Sequence, residues 1–205
     1  MIVIIDYGMG NLRSLKNAFE FLGHDVEISR DPSIVDSAAR VLLPGVGAFG
    51  DAMKAIRDLD LEPLLHRQAL ELRKPVLGIC LGMQLMAKES FEHGHHQGLG
   101  WFDASVQRLP NSPTAKVPQV GWNTLRILRE EWLFEGIPAA NDFYFVHSYH
   151  AVCTNPGDVA ATTDHDGPIT AVMARDNIIA AQFHPEKSQD NGLQFLQNWL
   201  DRDLS

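Results

Sequence analysis

The stretch Lys74-Pro75-Val76-Leu77-Gly78-Ile79-Cys80-Leu81-Gly82-Met83-Gln84 constrains this chain more than any other. A short apolar run, Val76 to Ile79, follows a proline and meets a cysteine. Two residues on stands a glycine, and apolar residues then recur at helical spacing (Leu81, Leu85, Met86). The pattern predicts a strand, a sharp turn and a helix, with Cys80 at the bend. Gly78 and Gly82 remove side chains beside the turn, so the chain can fold tightly and a substrate can approach the sulfur. This is the steric logic of a nucleophile elbow, written with Cys for Ser. Peptide dipoles at the start of a helix also favour negative charge on that sulfur. Alone, the pattern equally fits a buried structural cysteine, because free Cys is among the most buried residue types.

The other apolar segments say what holds such an elbow. Met1 to Ile5 is all apolar and too short for a helix, which predicts a central parallel strand. It ends in the turn Asp6-Tyr7-Gly8-Met9-Gly10-Asn11. A helix follows, with Leu12, Leu15, Phe19 and Leu22 at helical spacing and Gly23 closing it. A dinucleotide-binding turn would need a glycine at position 13, where Arg13 stands, so the turn reads as tight strand–helix packing. Strands are expected at Val26–Ser29 and Ala38–Leu43, a helix from Asp51 to near Leu59, and another over Leu61–Leu72. Strand and helix thus alternate up to the elbow, the pattern of a doubly wound α/β sheet whose ligands bind beyond the strands' C-terminal ends.

Two further stretches suit the chemistry of a thiol nucleophile. Pro44-Gly45-Val46-Gly47-Ala48-Phe49-Gly50 is a glycine-rich loop between a strand and a helix. Such a loop presents backbone N–H groups, which an oxyanion hole requires, although an ordinary βα turn has the same composition. Near the C-terminus, Gln182-Phe183-His184-Pro185-Glu186-Lys187-Ser188 ends a predicted strand, Ile178–Phe183. If the backbone continues extended, with Pro185 blocking a helix, His184 and Glu186 share one face. A carboxylate beside an imidazole orients it and favours its protonated form. Cys80, His184 and Glu186 then make a nucleophile, a base and an orienting group.

Further strands are expected at Trp101–Arg108, Phe143–Val146, Val159–Thr163 and Ile169–Ala174. The last pairs with Ile178–Phe183 as a hairpin at the sheet's far side. Lys116 to Asn123 reads as a segment broken by proline and glycine, and Gln189–Leu200 as a closing helix. In Glu92-His93-Gly94-His95-His96-Gln97-Gly98 the histidines sit in a polar, glycine-bearing loop without a fixed tetrahedron, so a solvated loop is expected rather than a metal site.

Length and composition agree with one soluble domain: 205 residues, 45% apolar and 21% charged. A formal charge of −9 argues against nucleic acid and anionic membranes as partners. Two cysteines, Cys80 and Cys153, build no disulfide framework and point to a reducing cytoplasm. The N-terminus lacks the basic flank of a secretory leader, and no apolar run reaches the roughly 20 residues of a membrane span.

Pro44-Gly45-Val46-Gly47, Gly78 to Gln84 and His184-Pro185-Glu186 come in the order that marks the class I (triad) glutamine amidotransferases, which this chain resembles over most of its length. Asp6 to Asn11, Val117-Pro118 with Gly121-Trp122-Asn123, Tyr144 to Tyr149 and Gln182 to Gln189 make it most similar to the member that is a stand-alone glutaminase subunit of histidine biosynthesis. The resemblance implies a three-layer α/β fold of the flavodoxin-like kind over residues 1–205. Its mostly parallel central sheet is flanked by helices and carries a small antiparallel extension. It implies that Cys80 attacks the side-chain amide of glutamine to form a γ-glutamyl thioester. His184 carries the proton to the leaving ammonia, and Glu186 aligns the imidazole. Backbone N–H groups of Val46, Gly47 and Leu81 would hold the oxyanion. Gly47, Gln84, Glu92 and the backbone at Ser148 and Tyr149 would grip the glutamine. Trp122, Asn123, Tyr144 and Lys187 would face a (β/α)8-barrel cyclase that receives the ammonia. No cofactor or metal is implied. The chain departs from the family in reading Gln119-Val120 where His-Met is more usual. Left open beside this are a glutaminase serving another synthase, a cysteine hydrolase of the same architecture, and a non-catalytic flavodoxin-like binding module.

Overall fold

A computed structural model of the chain describes residues 1–202. Its strands, in chain order, are β1 (Ile2–Ile5), β2 (Val26–Ser29), β3 (Arg40–Leu43), β4 (Val76–Ile79), β5 (Ala87–Ser90), β6 (His96–Gln97), β7 (Phe102–Arg108), β8 (Gln119–Ile127), β9 (Asp142–His147), β10 (Tyr149–Cys153), β11 (Val159–Asp164), β12 (Pro168–Arg175) and β13 (Ile178–Ala181). The α-helices are α1 (Leu12–Phe21), α2 (Pro32–Ser37), α3 (Phe49–Asp58), α4 (Leu61–His66), α5 (Leu81–Leu85) and α6 (Gln189–Asp201).

Among the described residues a nine-stranded sheet runs in the order β2-β1-β3-β4-β13-β12-β11-β8-β9. Neighbours from β2 to β13 are parallel, and those from β13 to β9 are antiparallel. The parallel strands are buried on both faces, as their unbroken apolar runs require. Alternation then divides their side chains between two cores. Val3, Ile5, Val41, Leu43, Val76, Ile178 and Ala180 face the side covered by α2, α3 and α4, where Val35, Met53, Ile56, Leu61 and Leu65 pack. Ile2, Ile4, Leu42, Leu77, Ile79, Ile179 and Ala181 face α1 and α6, meeting Leu15, Phe19, Phe195 and Trp199. The result is three layers, helix–sheet–helix.

Several expectations need correction. The hairpin β12–β13 exists, but β13 lies at the sheet's centre, parallel to β4, instead of at the far side. Its residues Ile178–Ala181 are buried, and only a central position covers both faces of such a strand. The antiparallel part is larger than a small extension. Besides β12, β11, β8 and β9 there is a second sheet, β10-β7-β5-β6, in which β5 and β7 are parallel. The elbow helix α5 stops at Leu85 because the chain turns at once into β5 of that sheet.

The helix expected over Leu61–Leu72 is α for its first half and widens to a π turn at Arg67–Glu71. The wider turn accompanies a change of partners. The Ala69 carbonyl accepts from Asn177 Nδ2 at 2.8 Å, and Gln68 is buried and donates to Asp36. Gly121 takes φ +142 without ending β8, which runs through to Ile127. Helix α2 was not anticipated, although Asp31-Pro32-Ser33 carries its signal. Asp31 accepts from Ser33 N at 2.8 Å as N-cap, and proline holds the first position.

Candidate active site

Strands β3, β4 and β13 are neighbours and parallel, so their C-terminal ends lie side by side. β3 delivers Pro44-Gly45-Val46-Gly47, β4 delivers Cys80, and β13 delivers Gln182 to His184. Three segments distant in the chain therefore open into one cleft at the place where a doubly wound sheet binds its ligands.

Cys80 occupies φ 55, ψ −110, a conformation that non-glycine residues avoid and that sharp functional turns retain. Backbone bonds hold it there: its N–H donates to Ala181 O at 2.8 Å, and its carbonyl accepts from Gln84 N at 3.3 Å. Gly82 is required because a Cβ there would sit 2.8 Å from the Leu43 carbonyl carbon, and nearer still to its oxygen. The sulfur is nearly enclosed, with Cys80 7% exposed.

His184 Nδ1 lies 2.9 Å from Glu186 Oε1, and both side chains are buried. Burial alone would lower the imidazole's proton affinity. Its contacts with Cys80 and Glu186 outweigh that and push its pKa up to about 9. The ring therefore carries its proton at neutral pH and faces the sulfur as an acid. The route by which Glu186 arrives differs from the expected extended one, because Pro185–Lys187 is a turn of 3-10 helix. Proline's φ suits the first position of such a turn. Lys187 N and Ser188 N bond back to the carbonyls of His184 and Pro185. Ser188 Oγ donates to His184 O at 2.6 Å and accepts from Tyr144 N at 2.9 Å, while His184 N donates to Tyr144 O. Beneath them Phe143, Phe183 and Phe195 pack with centroids 4.3 to 6.3 Å apart, which stiffens the base of the histidine loop.

Opposite the imidazole, Leu81 opens α5, so its N–H has no intrahelical partner. Gly47 takes φ +103, which sets the direction of the Val46–Gly47 peptide in a way other residues resist. Tyr7, which the sequence reading passed over, anchors this loop by donating its hydroxyl to Pro44 O at 2.7 Å. Burial, and secondarily the negative charge of Cys80, raises the pKa of that hydroxyl, so it stays a donor.

The cleft, of about 340 Å³, is lined by Val46, Gly47, Cys80, Leu81, Gln84, Glu92, Ser148, Tyr149, His184 and Lys187 among others. It thus gathers every residue expected to catalyse or to grip substrate except Glu186, which stands behind His184. Some of their polar atoms are already engaged. Gln84 Nε2 donates to Tyr149 O (2.9 Å) and Gln182 Oε1 (3.0 Å), leaving its own oxygen free for a ligand. Glu92 accepts from Phe49 N at 2.7 Å, tying the histidine loop to the start of α3. In that loop His95 pairs with Glu89 at 2.7 Å and His96 packs on Gly50. Among the described residues no group of three or more His, Cys, Asp or Glu stands ready to hold a metal ion.

Beyond the cleft, β8 and β9 pair Val120 with Val146 and Trp122 with Tyr144 on one outward face. Val120 is 59% and Trp122 46% exposed, and Lys187 Nζ lies 5.9 Å from the Tyr144 ring centroid. This apolar patch borders the site. Asn123, the next residue, points to the sheet's other side and donates to Asp164 O at 3.3 Å. Sequence reading also missed Gln182 and His147. Gln182 was legible, since the period-two rule that links His184 to its strand also links Gln182 to His184. His147, whose Nδ1 donates to Tyr149 O at 2.8 Å, carries no local signal.

Residues 3–202 match the family described as glutamine amidotransferase class-I, and the chain belongs to that family. The solved structures it resembles agree at the level of the fold. They include the PurLQS complex of Thermotoga maritima (TM-score 0.74, 18% identity, 98% of this chain and 97% of that one) and a putative GMP synthase subunit of Thermoplasma acidophilum (TM-score 0.72, 22% identity, 97% and 91%). Within the class the relatives are more particular. The chain is 46% identical over 205 residues to imidazole glycerol phosphate synthase subunit HisH 2 of Nitrobacter winogradskyi, covering 97% of each chain. It is 46% identical over 207 residues to the HisH subunit of Syntrophotalea carbinolica (98% and 100%), and 45% over 198 residues to that of Aquifex aeolicus (96% and 94%). Among the described residues no helix is long and apolar enough to cross a membrane.

Proposed function

We propose that this chain is the glutaminase subunit of imidazole glycerol phosphate synthase, a single amidotransferase domain over residues 1–205 acting in the cytoplasm. The observation that carries the reading is the protonated His184, hydrogen-bonded to Glu186 at 2.9 Å, in one cleft with the Cys80 sulfur. The sulfur attacks the side-chain carbonyl carbon of glutamine. The negative charge that develops on the oxygen falls to N–H groups of Leu81 and of the Val46–Gly47 loop, each worth roughly 3–4 kcal/mol of barrier. His184 gives its proton to the departing nitrogen, and ammonia leaves a γ-glutamyl thioester. Water, deprotonated by His184, opens the thioester. Glutamate forms, the sulfur takes the electron pair of the broken C–S bond, and the proton returns to it. Glu186 keeps the imidazole aligned through both halves. Gly47, the Gln84 oxygen, Glu92 and the backbone at Ser148 and Tyr149 hold the substrate.

Ammonia released here is useful only if an acceptor site receives it. The exposed patch of Val120, Trp122, Tyr144 and Val146, with Lys187 beside it, is of the kind that marks a protein interface and adjoins the cleft. A (β/α)8-barrel cyclase docked there would combine the ammonia with its ribonucleotide substrate. The products are imidazole glycerol phosphate and aminoimidazole-carboxamide ribonucleotide. The test is Cys80→Ala in the reconstituted synthase. Glutamine-dependent synthesis should vanish while free ammonia still supports product formation. Retained glutamine-dependent synthesis would refute the role of Cys80, and loss of both activities would show that the residue serves the assembly instead.

A further inference from the structure

We infer that Gln182 is a fourth functional side chain of this site: its amide donates a hydrogen bond to the Cys80 sulfur. The inference deepens the reading of Cys80 as nucleophile and rests on it. Gln182 is fully buried, one residue past the end of β13, and its backbone is fixed by Gln182 N donating to Ala171 O at 2.8 Å. Its Nε2 lies 3.8 Å from Cys80 Sγ, within reach of an N–H···S bond.

The orientation of a side-chain amide is ordinarily ambiguous, since its oxygen and nitrogen look alike. Here a peptide carbonyl resolves it. Tyr149 O can only accept, so Gln84 must turn its NH2 toward it, at 2.9 Å. The same NH2 meets Gln182 at 3.0 Å, so Gln182 must present its oxygen there. Its own NH2 is left facing the sulfur. Turning Gln182 over would set two NH2 groups against each other in a buried place and leave one without an acceptor.

The donor matters when the sulfur is charged. That happens twice, as the sulfur attacks the amide and as it leaves when water opens the thioester. In the second event the C–S bond breaks, the sulfur keeps the electron pair, and the proton that His184 took from water returns to it. Gln182 carries no exchangeable role in either transfer. It holds charge on the sulfur without competing with His184 for the proton.

The experiment is the rate of Cys80 alkylation by iodoacetamide in the full chain without glutamine, followed from pH 6 to 10 by mass spectrometry that separates Cys80 from Cys153. With Gln182→Leu the rate at pH 7 should fall about tenfold, the order expected for one hydrogen bond to a charged group, and converge on the unmodified chain's rate near pH 10. Gln182→Glu, nearly isosteric and unable to donate when ionised, should lower the pH 7 rate at least as far, and it serves if the leucine variant does not fold. Gln84→Glu should release Gln182 to turn over, with a similar loss, and Gln84→Glu/Gln182→Leu should be no slower than Gln182→Leu alone. Unchanged rates at pH 7 in both Gln182 variants, with Cys80 labelled, would overturn the inference and leave the nucleophile intact. Absence of label on Cys80 in the unmodified chain would overturn both.

Discussion

Gly82→Ala tests the closest approach in the molecule, that of the elbow against the end of β3. A methyl group at Gly82 would lie 2.8 Å from the Leu43 carbonyl carbon and 3.3 Å from the Pro44 carbonyl carbon, with the Leu43 oxygen nearer than either. These are backbone atoms, so no rotamer relieves the clash, and β3 or the elbow must move by about 1 Å. Leu43 is pinned by pairing with Gly78, and the Pro44 carbonyl is held by Tyr7. The displacement therefore passes into Gly45-Val46-Gly47 and Cys80, the two sides of the oxyanion site. A shift of that size between reacting groups costs on the order of 100-fold in rate. Overpacking of this kind costs about 1–3 kcal/mol, and each kcal/mol lowers Tm by roughly 2–4 °C in a chain of this length. Glutamine hydrolysis and thermal unfolding should be measured together, with Gly100→Ala as control. Gly100 also has positive φ (+69) but has nothing within 4 Å, so its variant should lose some stability and little activity. Unchanged hydrolysis and Tm in Gly82→Ala would refute the idea that these backbones touch.

Three other outcomes follow from the same geometry. Because His184 is protonated up to about pH 9 in the fold against 6.5 when unperturbed, the stability due to that proton is complete below about 6.5 and is lost as pH rises through about 9. In Glu186→Gln that loss should begin at lower pH, with glutamine hydrolysis reduced by at least tenfold; superimposable Tm–pH curves for the two proteins would contradict it. Tyr7→Phe removes one buried hydrogen bond to Pro44 O, worth about 1 kcal/mol, and should lower Tm by roughly 2–4 °C together with the turnover number; a change in Tm without any in turnover would mean that the tyrosine does not steady the oxyanion loop. Trp122→Ala should leave Tm within a degree or two and weaken binding of the cyclase by more than about tenfold, as expected of an aromatic anchor; undiminished affinity in a titration would move the interface elsewhere.

Local rules carried much of this protein. The apolar runs of β1 and β4, the spacing of α1, the glycines about Cys80 and the His-x-Glu pair are patterns of adjacent residues, and each obeys a period or a steric limit visible in a few letters. The shape of Pro185–Lys187 was misread from those same letters, because a proline that blocks an α-helix equally well begins a 3-10 turn. What settled the matter was Ser188, whose hydroxyl bridges His184 O and Tyr144 N across a separation of 44 residues.

The amino-acid order by itself determined which residues carry the chemistry, because a thiol, an imidazole, a carboxylate and flexible N–H donors are properties of residue types and short-range geometry. Only the tertiary structure decided that they meet. β13, the last strand of the chain, inserts beside β4 because a strand apolar on both faces is stable only in the middle of the sheet, and that placement brings His184 to Cys80. It also decided which atoms face one another. The Tyr149 carbonyl orients Gln84, and Gln84 orients Gln182, through contacts 65 and 98 residues apart in the chain that no local period encodes.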